Sequence, residues 1–231
     1  MSNIDILQIL KEIPIFQSLS DEHLTLISKG FKIYRVKKGE IIFYQSDEST
    51  DLYIILDGAV KACLLDSDGK ELILNIFKKG DFFGELSLLD GRPRSATIIA
   101  IEDSVVGVLK REHFLKLLKN NPMIVISLLS ALVERIRMTD EMLGAMAFLD
   151  VSRRIIKFLM NVAEKEGEKT RDGLIRIKKI THRELASCTG ASREAITKAL
   201  KVLKFKGILK EEEGFFLISP HIEPCSFYEE K

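Results

Sequence analysis

The chain has 231 residues, 46% of them hydrophobic, which is enough for real cores in one or two domains. No apolar run approaches the roughly 18 residues of a membrane span, and the start M-S-N-I-D-I-L-Q-I-L has neither the basic opening nor the cleavage site of a secretory signal, so a cytoplasmic protein without a membrane partner is expected. The net charge of +1 is uneven: residues 1–150 carry 18 Lys and Arg against 22 Asp and Glu, residues 151–210 carry 16 against 6, and residues 211–231 carry 1 against 6, so the middle segment, at +10, suits a polyanion.

Ile4, Leu7, Leu10 and then Leu24, Ile27 repeat at three-residue spacing, with a break at Pro14. This predicts helices over residues 4–29. Ser18-Leu19-Ser20-Asp21-Glu22 reads as a helix start with Ser20 as N-cap. From Phe31 to about Leu109 the period shortens. Short β-rich runs lie at Phe31–Arg35, Ile41–Phe43, Leu52–Leu56, Val60–Leu64, Leu72–Leu74 and Ile98–Val108. Lys38-Gly39, Asp57-Gly58, Asp68-Gly69, Lys79-Gly80 and Asp90-Gly91 punctuate them. Even spacing with such turns predicts an antiparallel sandwich or barrel of the jelly-roll kind.

One stretch breaks the strand rhythm. Gly80–Ile98 reads G-D-F-F-G-E-L-S-L-L-D-G-R-P-R-S-A-T-I. Gly84-Glu85-Leu86-Ser87 predicts a tight turn into a very short helix, whose free N–H groups suit an anion. Arg94 and Ser95 follow ten residues later. Arg can fork onto phosphate oxygens, and an ionised Glu85 can only accept hydrogen bonds. A phosphate beside a donor hydroxyl, such as a ribose 2′-OH, satisfies both. The same residues also suit a Gly-rich surface turn with an Arg–Glu ion pair.

Pro122 is a good first helical residue, and the helix it opens can run to about Leu149. Pro122, Val125, Leu129, Leu132, Ile136, Thr139, Leu143, Met146 and Asp150 alternate at three and four. That is a heptad seam of about four heptads, as in a parallel two-stranded coiled coil. Thr139, followed by Asp140, interrupts it; a polar residue there can set register or face a ligand. Ile155–Ala163 predicts a further helix, Glu164–Asp172 a charged linker, and Leu174–Ile177 a short strand.

Thr181-His182-Arg183-Glu184 matches the capping box T-x-x-E, starting a helix that runs to Gly190. Ser192 caps a longer helix from Arg193 to about Phe205, ended by Gly207. Two helices on a short Gly-containing turn make a helix-turn-helix. Ile208–Lys210 and Phe215–Ile218, flanking Glu211–Gly214, make a hairpin or wing. Arg193, Glu194, Thr197, Lys198 and Lys201 lie along the exposed N-terminal half of the second helix, which in this motif reaches base edges. Thr181, His182 and Ser192 are placed for phosphates.

Three motifs in one order resemble the cyclic-AMP receptor protein/fumarate-nitrate reductase regulator superfamily of transcription factors, and its cyclic-AMP receptor branch most closely. They are Gly84-Glu85-Leu86-Ser87 with Arg94-Ser95-Ala96, the hinge Ala147-Phe148-Leu149-Asp150-Val151, and Ile180-Thr181 through Gly190-Ala191-Ser192-Arg193-Glu194. The resemblance implies an α+β chain. Its parts are an antiparallel jelly-roll cyclic-nucleotide-binding domain over 1–121, a dimerisation helix and hinge over 122–150, and a winged helix-turn-helix domain over 151–231. It also implies cyclic AMP as allosteric effector, no metal, a homodimer with Leu129, Leu132, Ile136 and Leu143 in its seam, double-stranded DNA with a pseudo-palindromic site, and RNA polymerase as a further partner. Glu85 would accept the ribose 2′-OH. Arg94 and Ser95 would hold the phosphate, with Gly84, Leu86 and Ser87 around it. Thr139 would touch the purine, with Asp140 reaching across from the partner. Arg193 and Glu194 would read bases, with Lys198 in the third reading position.

The chain departs from that branch twice. Asp140 stands where a Ser is usual, and an ionised carboxylate accepts but does not donate; it suits adenine's amino group or the N1–H and amino group of guanine, so cyclic GMP stays open. Lys198 replaces an Arg and lacks its bidentate fork. Regulation by redox state, by a gas or by no ligand would keep the DNA-binding part. An iron–sulfur sensor needs four Cys ligands, and only Cys63 lies in the sensor segment, with Cys188 and Cys225 outside it. No nucleophile–base motif, HExxH or Walker loop argues for an enzyme.

Overall fold

The computed structural model describes residues 6–17 and 19–219. The expectations that fall on Ile4, Ser18 and Cys225 lie outside them. The chain divides into two compact units, one running to Ile136 without Gly69–Leu72, the other made of Gly69–Leu72 and the residues from Arg137 onward. Among the described residues no single helix is long and apolar enough to cross a membrane.

The first unit opens with α1 (Ile6–Glu12), a 3-10 turn at Pro14–Phe16 and α2 (Asp21–Gly30). Ser20 caps α2, accepting from the His23 N–H. Eight strands follow: β1 (Phe31–Val36), β2 (Ile41–Phe43), β3 (Leu52–Asp57), β4 (Ala59–Leu65), β5 (Glu71–Lys78), β6 (Phe82–Phe83), β7 (Thr97–Ala100) and β8 (Ser104–Leu109). They form two four-stranded sheets, β1-β8-β3-β6 and β2-β7-β4-β5, in the jelly-roll manner. Between the sheets lie Phe43, Ile55, Val60, Phe77, Phe83, Ile98 and Val106. The other face of the first sheet is covered by helices, with Leu10, Phe16, Leu24, Ile27, Leu52, Ile54, Leu109 and Phe114 in that core. This explains the unbroken apolar run Leu52–Leu56. Successive strand side chains alternate sides, and here both sides are dry: Leu52, Ile54 and Leu56 face the helices, Ile55 the sandwich.

Several local expectations need correction. The run Ile98–Val108 is two strands, β7 and β8, parted by a turn at residues 101–103. Phe82-Phe83 forms an additional short strand, pairing with Tyr53 and Ile54 of β3. The segment expected to be a charged linker is structured: helix α6 (Val151–Glu166) runs into it, and β9 (Glu168–Lys169) pairs with β10 (Ile175–Lys178). Charge there marks a solvated helix end and a sheet edge, both of which tolerate it.

Helix α4 (Arg111–Asn120) leads to the long α5 (Pro122–Phe148), whose Ile124 and Leu128 are buried in the helical core of the first unit. In the second unit Asp150 caps α6, its carboxylate accepting from the Arg153 N–H at 2.9 Å. Helices α7 (His182–Thr189) and α8 (Arg193–Phe205) follow, then β11 (Leu209–Glu212) and β12 (Phe215–Ile218). The sheet order is β11-β12-β10-β9. Glu211 and Glu212 belong to the strand rather than the turn, which is Glu213-Gly214 with φ of 45° and 85°; two positive-φ residues make the hairpin turn that matches strand twist. Ile155, Leu159, Ile177, Leu185, Ile196, Leu200, Leu203 and Phe216 pack one core under the helices.

Candidate functional site

The Gly-rich stretch forms the turn and short helix expected of it. Gly84 has φ +84°, and α3 runs over Glu85–Asp90. A Cβ on Gly84 would stand 2.6 Å from Arg94 Nη1 and 2.9 Å from the Asp51 carbonyl, so both the backbone angle and the close approach require glycine. Arg94 is only 2% exposed. Its Nε donates to Ser49 Oγ at 2.9 Å, Nη1 to the Gly84 carbonyl at 2.8 Å and Nη2 to the Asp51 carbonyl at 2.8 Å. The guanidinium lies over the rings of Phe43 and Tyr53, 4.2 and 5.5 Å from their centroids. Burial lowers its pKa from the ordinary arginine value, while Tyr53, Asp51 and Glu85 pull the other way; an arginine remains charged throughout. Three of its five N–H donors are engaged among the described residues.

Glu85, 4% exposed, is held by a residue that sequence reasoning missed. Arg135 Nη1 lies 2.5 Å from Glu85 Oε1, and its Nη2 donates to the Phe82 carbonyl at 2.5 Å. Phe77 and Phe82 flank the guanidinium, with centroids 4.8 and 4.9 Å away. Its place one helical turn before the polar Thr139 in an otherwise apolar seam was the available signal. Ser87 is buried, whereas Leu86 and Ser95 are exposed beside the turn. The structure therefore gathers Gly84, Glu85, Arg94 and Arg135 within one unit. Thr139 and Asp140 belong to the second unit, where both are exposed.

Along α5 the large apolar residues that stand exposed are Met123, Ile126, Leu129, Val133, Ile136, Met138, Leu143 and Phe148, between 43% and 78% open. Leu129, Ile136 and Leu143 of the expected seam are among them, while Leu132 is half-buried against the helical core. Ile126 and Val133 stand exposed one residue after the expected Val125 and Leu132, while Leu129 and Ile136 are exposed at their expected places.

In the second unit the capping box is complete: Glu184 N–H donates to Thr181 Oγ1, and Thr181 N–H donates to Glu184 Oε2. Gly190 turns the chain with φ +61°. The Ala195 N–H donates to Ser192 Oγ at 3.1 Å, starting α8. Arg193, Glu194, Lys198 and Lys201 are exposed, and Thr181 and Ser192 stand in solvent at the two helix starts. His182 and Thr197 are half-buried and face each other, Nδ1 to Oγ1 3.0 Å. They link the two helices. Hydrogen bonds from its own backbone N–H and from the Ser192 hydroxyl hold the Glu194 carboxyl below the usual range, which keeps it an acceptor. Behind α8, Glu211 on the wing strand pairs with both Lys179 and Lys204.

Residues 34–121 match the family model for a cyclic nucleotide-binding domain, and residues 153–221 the model for a Crp-like helix-turn-helix domain. The cyclic AMP receptor protein of Thermus thermophilus is 32% identical over 205 residues, which span 89% of this chain and 92% of that protein. The cAMP-activated global transcriptional regulator CRP of Salmonella typhimurium is 34% identical over 178 residues, 77% of this chain and 84% of the relative. Among solved structures, the c-di-GMP responsive global regulator CLP of Xanthomonas campestris superposes with a TM-score of 0.76 at 22% identity, over 87% of this chain and 99% of that one.

Proposed function

The chain belongs to the cyclic-AMP receptor protein/fumarate-nitrate reductase regulator superfamily, as a DNA-binding transcription regulator with a cyclic-nucleotide-binding domain and not an enzyme, and we propose that it is a cytoplasmic homodimer gated by cyclic AMP. The observation that carries the effector reading is the buried pair at the Gly84 turn. Arg94 keeps two N–H donors for a phosphate, and Glu85 offers a carboxylate for a ribose hydroxyl. Gly84, Leu86, Ser87 and Ser95 complete that wall, and Thr139 and Asp140 serve the base. The exposed stripe of Leu129, Ile136 and Leu143, with Leu132 at its edge, is the dimer seam, and the domains are 1–121, 122–150 and 151–231. Ligand at the seam favours one arrangement of the dimer. Two α8 helices then enter successive major grooves of a pseudo-palindromic site, one helical turn apart. Arg193, Glu194 and Lys198 read bases, Thr181 and Ser192 hold phosphates, and His182 and Thr197 hold the helices in register. RNA polymerase is the further partner.

Asp140 favours a second reading, cyclic GMP, because a carboxylate can accept from both the N1–H and the amino group of guanine. A DNA-shift assay titrated separately with the two nucleotides decides. Cyclic AMP is expected to tighten DNA binding. If cyclic GMP alone does so, the second reading replaces the first, and if neither does, nucleotide control fails while the DNA-binding assignment stands. Asp140→Ser is expected to move the preference toward cyclic AMP by about tenfold, the weight of one charge-assisted hydrogen bond. Unchanged relative affinities would remove Asp140 from the base.

A further inference from the structure

A groove of about 440 Å³ opens in the second unit between the hinge, the first turns of α6 and the C-terminal end of α8. Leu149, Ile156, Val202 and Ile208 give it an apolar lining, and Arg153 and Lys206 stand on it as cations, beside Lys157, which pairs with Glu141, and Asp150, whose carboxylate caps α6. Both cations are exposed, and neither takes part in an ion pair among the described residues. Val202 is 44% exposed, and Phe205, three residues on along the same face of α8, is 93% exposed. An amphipathic occupant with acidic and aromatic side chains fits that surface: apolar area would leave water, and carboxylates would meet the cations.

The chain carries such a segment, and the described backbone delivers it to the groove. After β12 the Ser219 N–H donates to the carbonyl of Ile208, a groove residue, at 3.3 Å. Residues 220–231 follow, reading P-H-I-E-P-C-S-F-Y-E-E-K. They bring Ile222, Phe227 and Tyr228 with Glu223, Glu229 and Glu230, against a single Lys231. Twelve residues can extend about 40 Å, more than the groove requires from a start at its edge. We propose that residues 220–231 dock into this groove of their own chain, with Phe227 and Tyr228 on its apolar floor and the glutamates on Arg153 and Lys206. The docked segment bridges the hinge and the back of the recognition helix, away from the α8 residues assigned to bases. The inference does not depend on which effector the sensor takes.

The chain contains no Trp, so Tyr228→Trp in the full chain creates a single fluorescent reporter. Docking predicts blue-shifted emission and acrylamide quenching about three- to tenfold weaker than in the same reporter carrying Arg153→Glu and Lys206→Glu. Two exposed ion pairs exchanged for repulsion carry about that factor. Adding Glu229→Lys and Glu230→Lys to the charge-reversed groove is expected to restore protection. With the groove residues unchanged, about 1 M salt should also loosen the reporter, because screening then acts within about 3 Å. Emission typical of a solvated indole would overturn the proposal, as would protection indifferent to both charge reversal and salt. Protection that rises with protein concentration would assign the segment to a second copy, and protection seen only with DNA would assign the groove to DNA; either result overturns docking within the chain.

Discussion

Glu85 and Arg94 in the sensor are 4% and 2% exposed; Arg193 and Glu194, the same two residue types at the start of α8, stand in solvent. In the sensor the fold has already committed part of each charge. Arg94 ties together Ser49, the Gly84 carbonyl and the Asp51 carbonyl, and Glu85 is held by Arg135. At the start of α8 Glu194 bonds its own backbone N–H and the Ser192 hydroxyl, and neither Arg193 nor Glu194 takes part in an ion pair among the described residues. A buried ligand-facing charge must be solvated by protein when no ligand is present, because leaving it unpaired costs several kcal/mol. An exposed reading charge is solvated by water and is displaced onto DNA only when it binds. The charges proposed for the nucleotide are therefore also part of the scaffold, and those proposed for the bases are not.

The largest effect that can break this contrast is Arg94→Leu. It leaves the Gly84 and Asp51 carbonyls without their donor and Glu85 with one cation fewer nearby. A loss of about 3 kcal/mol in unfolding free energy is expected, read from urea melts, together with loss of cyclic-nucleotide binding by calorimetry. If the variant melts like the parent and still fails to bind, Arg94 is a ligand residue without a scaffold role.

Arg193→Ala is the counterpart on α8. Stability should move by no more than about 0.5 kcal/mol. Affinity for the specific site should fall by about 1–3 kcal/mol with relaxed selection at one base pair. A uniform loss across sequences with a shallower salt dependence would reassign Arg193 to a phosphate.

The same contrast decides what could be read from the sequence. Signals confined to a few neighbouring residues were legible: the capping box at Thr181 and Glu184, Ser20 and Ser192 as caps, the Asp57-Gly58 turn, and Pro122 opening a helix that ends at Phe148. Each is a local backbone problem with a local chemical answer. What stayed hidden depends on distant partners. Phe82-Phe83 is a strand only because β3, some 28 residues earlier, offers an edge. Arg135 holds Glu85 across 50 positions of sequence, marked only by its place one helical turn before Thr139. Leu132 is half-buried where Val133 is exposed, because heptad spacing fixes a period, whereas the exposed side of α5 depends on which side of the helix the first unit covers. His182 and Thr197 bond each other across the two helices, a contact between residues 15 positions apart that neither local motif announces.

Glu211 is intermediate between the two regions and gives the smallest expected effect. Its side chain is 26% exposed, and it joins Lys179, before α7, to Lys204, near the end of α8. Hydrogen bonds from those two ammonium groups, Lys179's first, lower its pKa from 4.5 to about 2. A depressed carboxylate stabilises the fold fully above its unfolded value and loses that contribution as the pH falls from about 4.5 through about 2. Because both lysine heads remain partly solvated, the clamp is worth about 1 kcal/mol. Glu211→Gln should therefore lower the stability of the second unit by about that much at neutral pH, and melts of parent and variant should converge as the pH approaches 2. Since Glu211 fixes the wing to the far end of α8 without touching its reading residues, the variant should weaken binding to all DNA sequences alike. A change in base preference would mean that the clamp sets the angle of the reading helix as well as its stability.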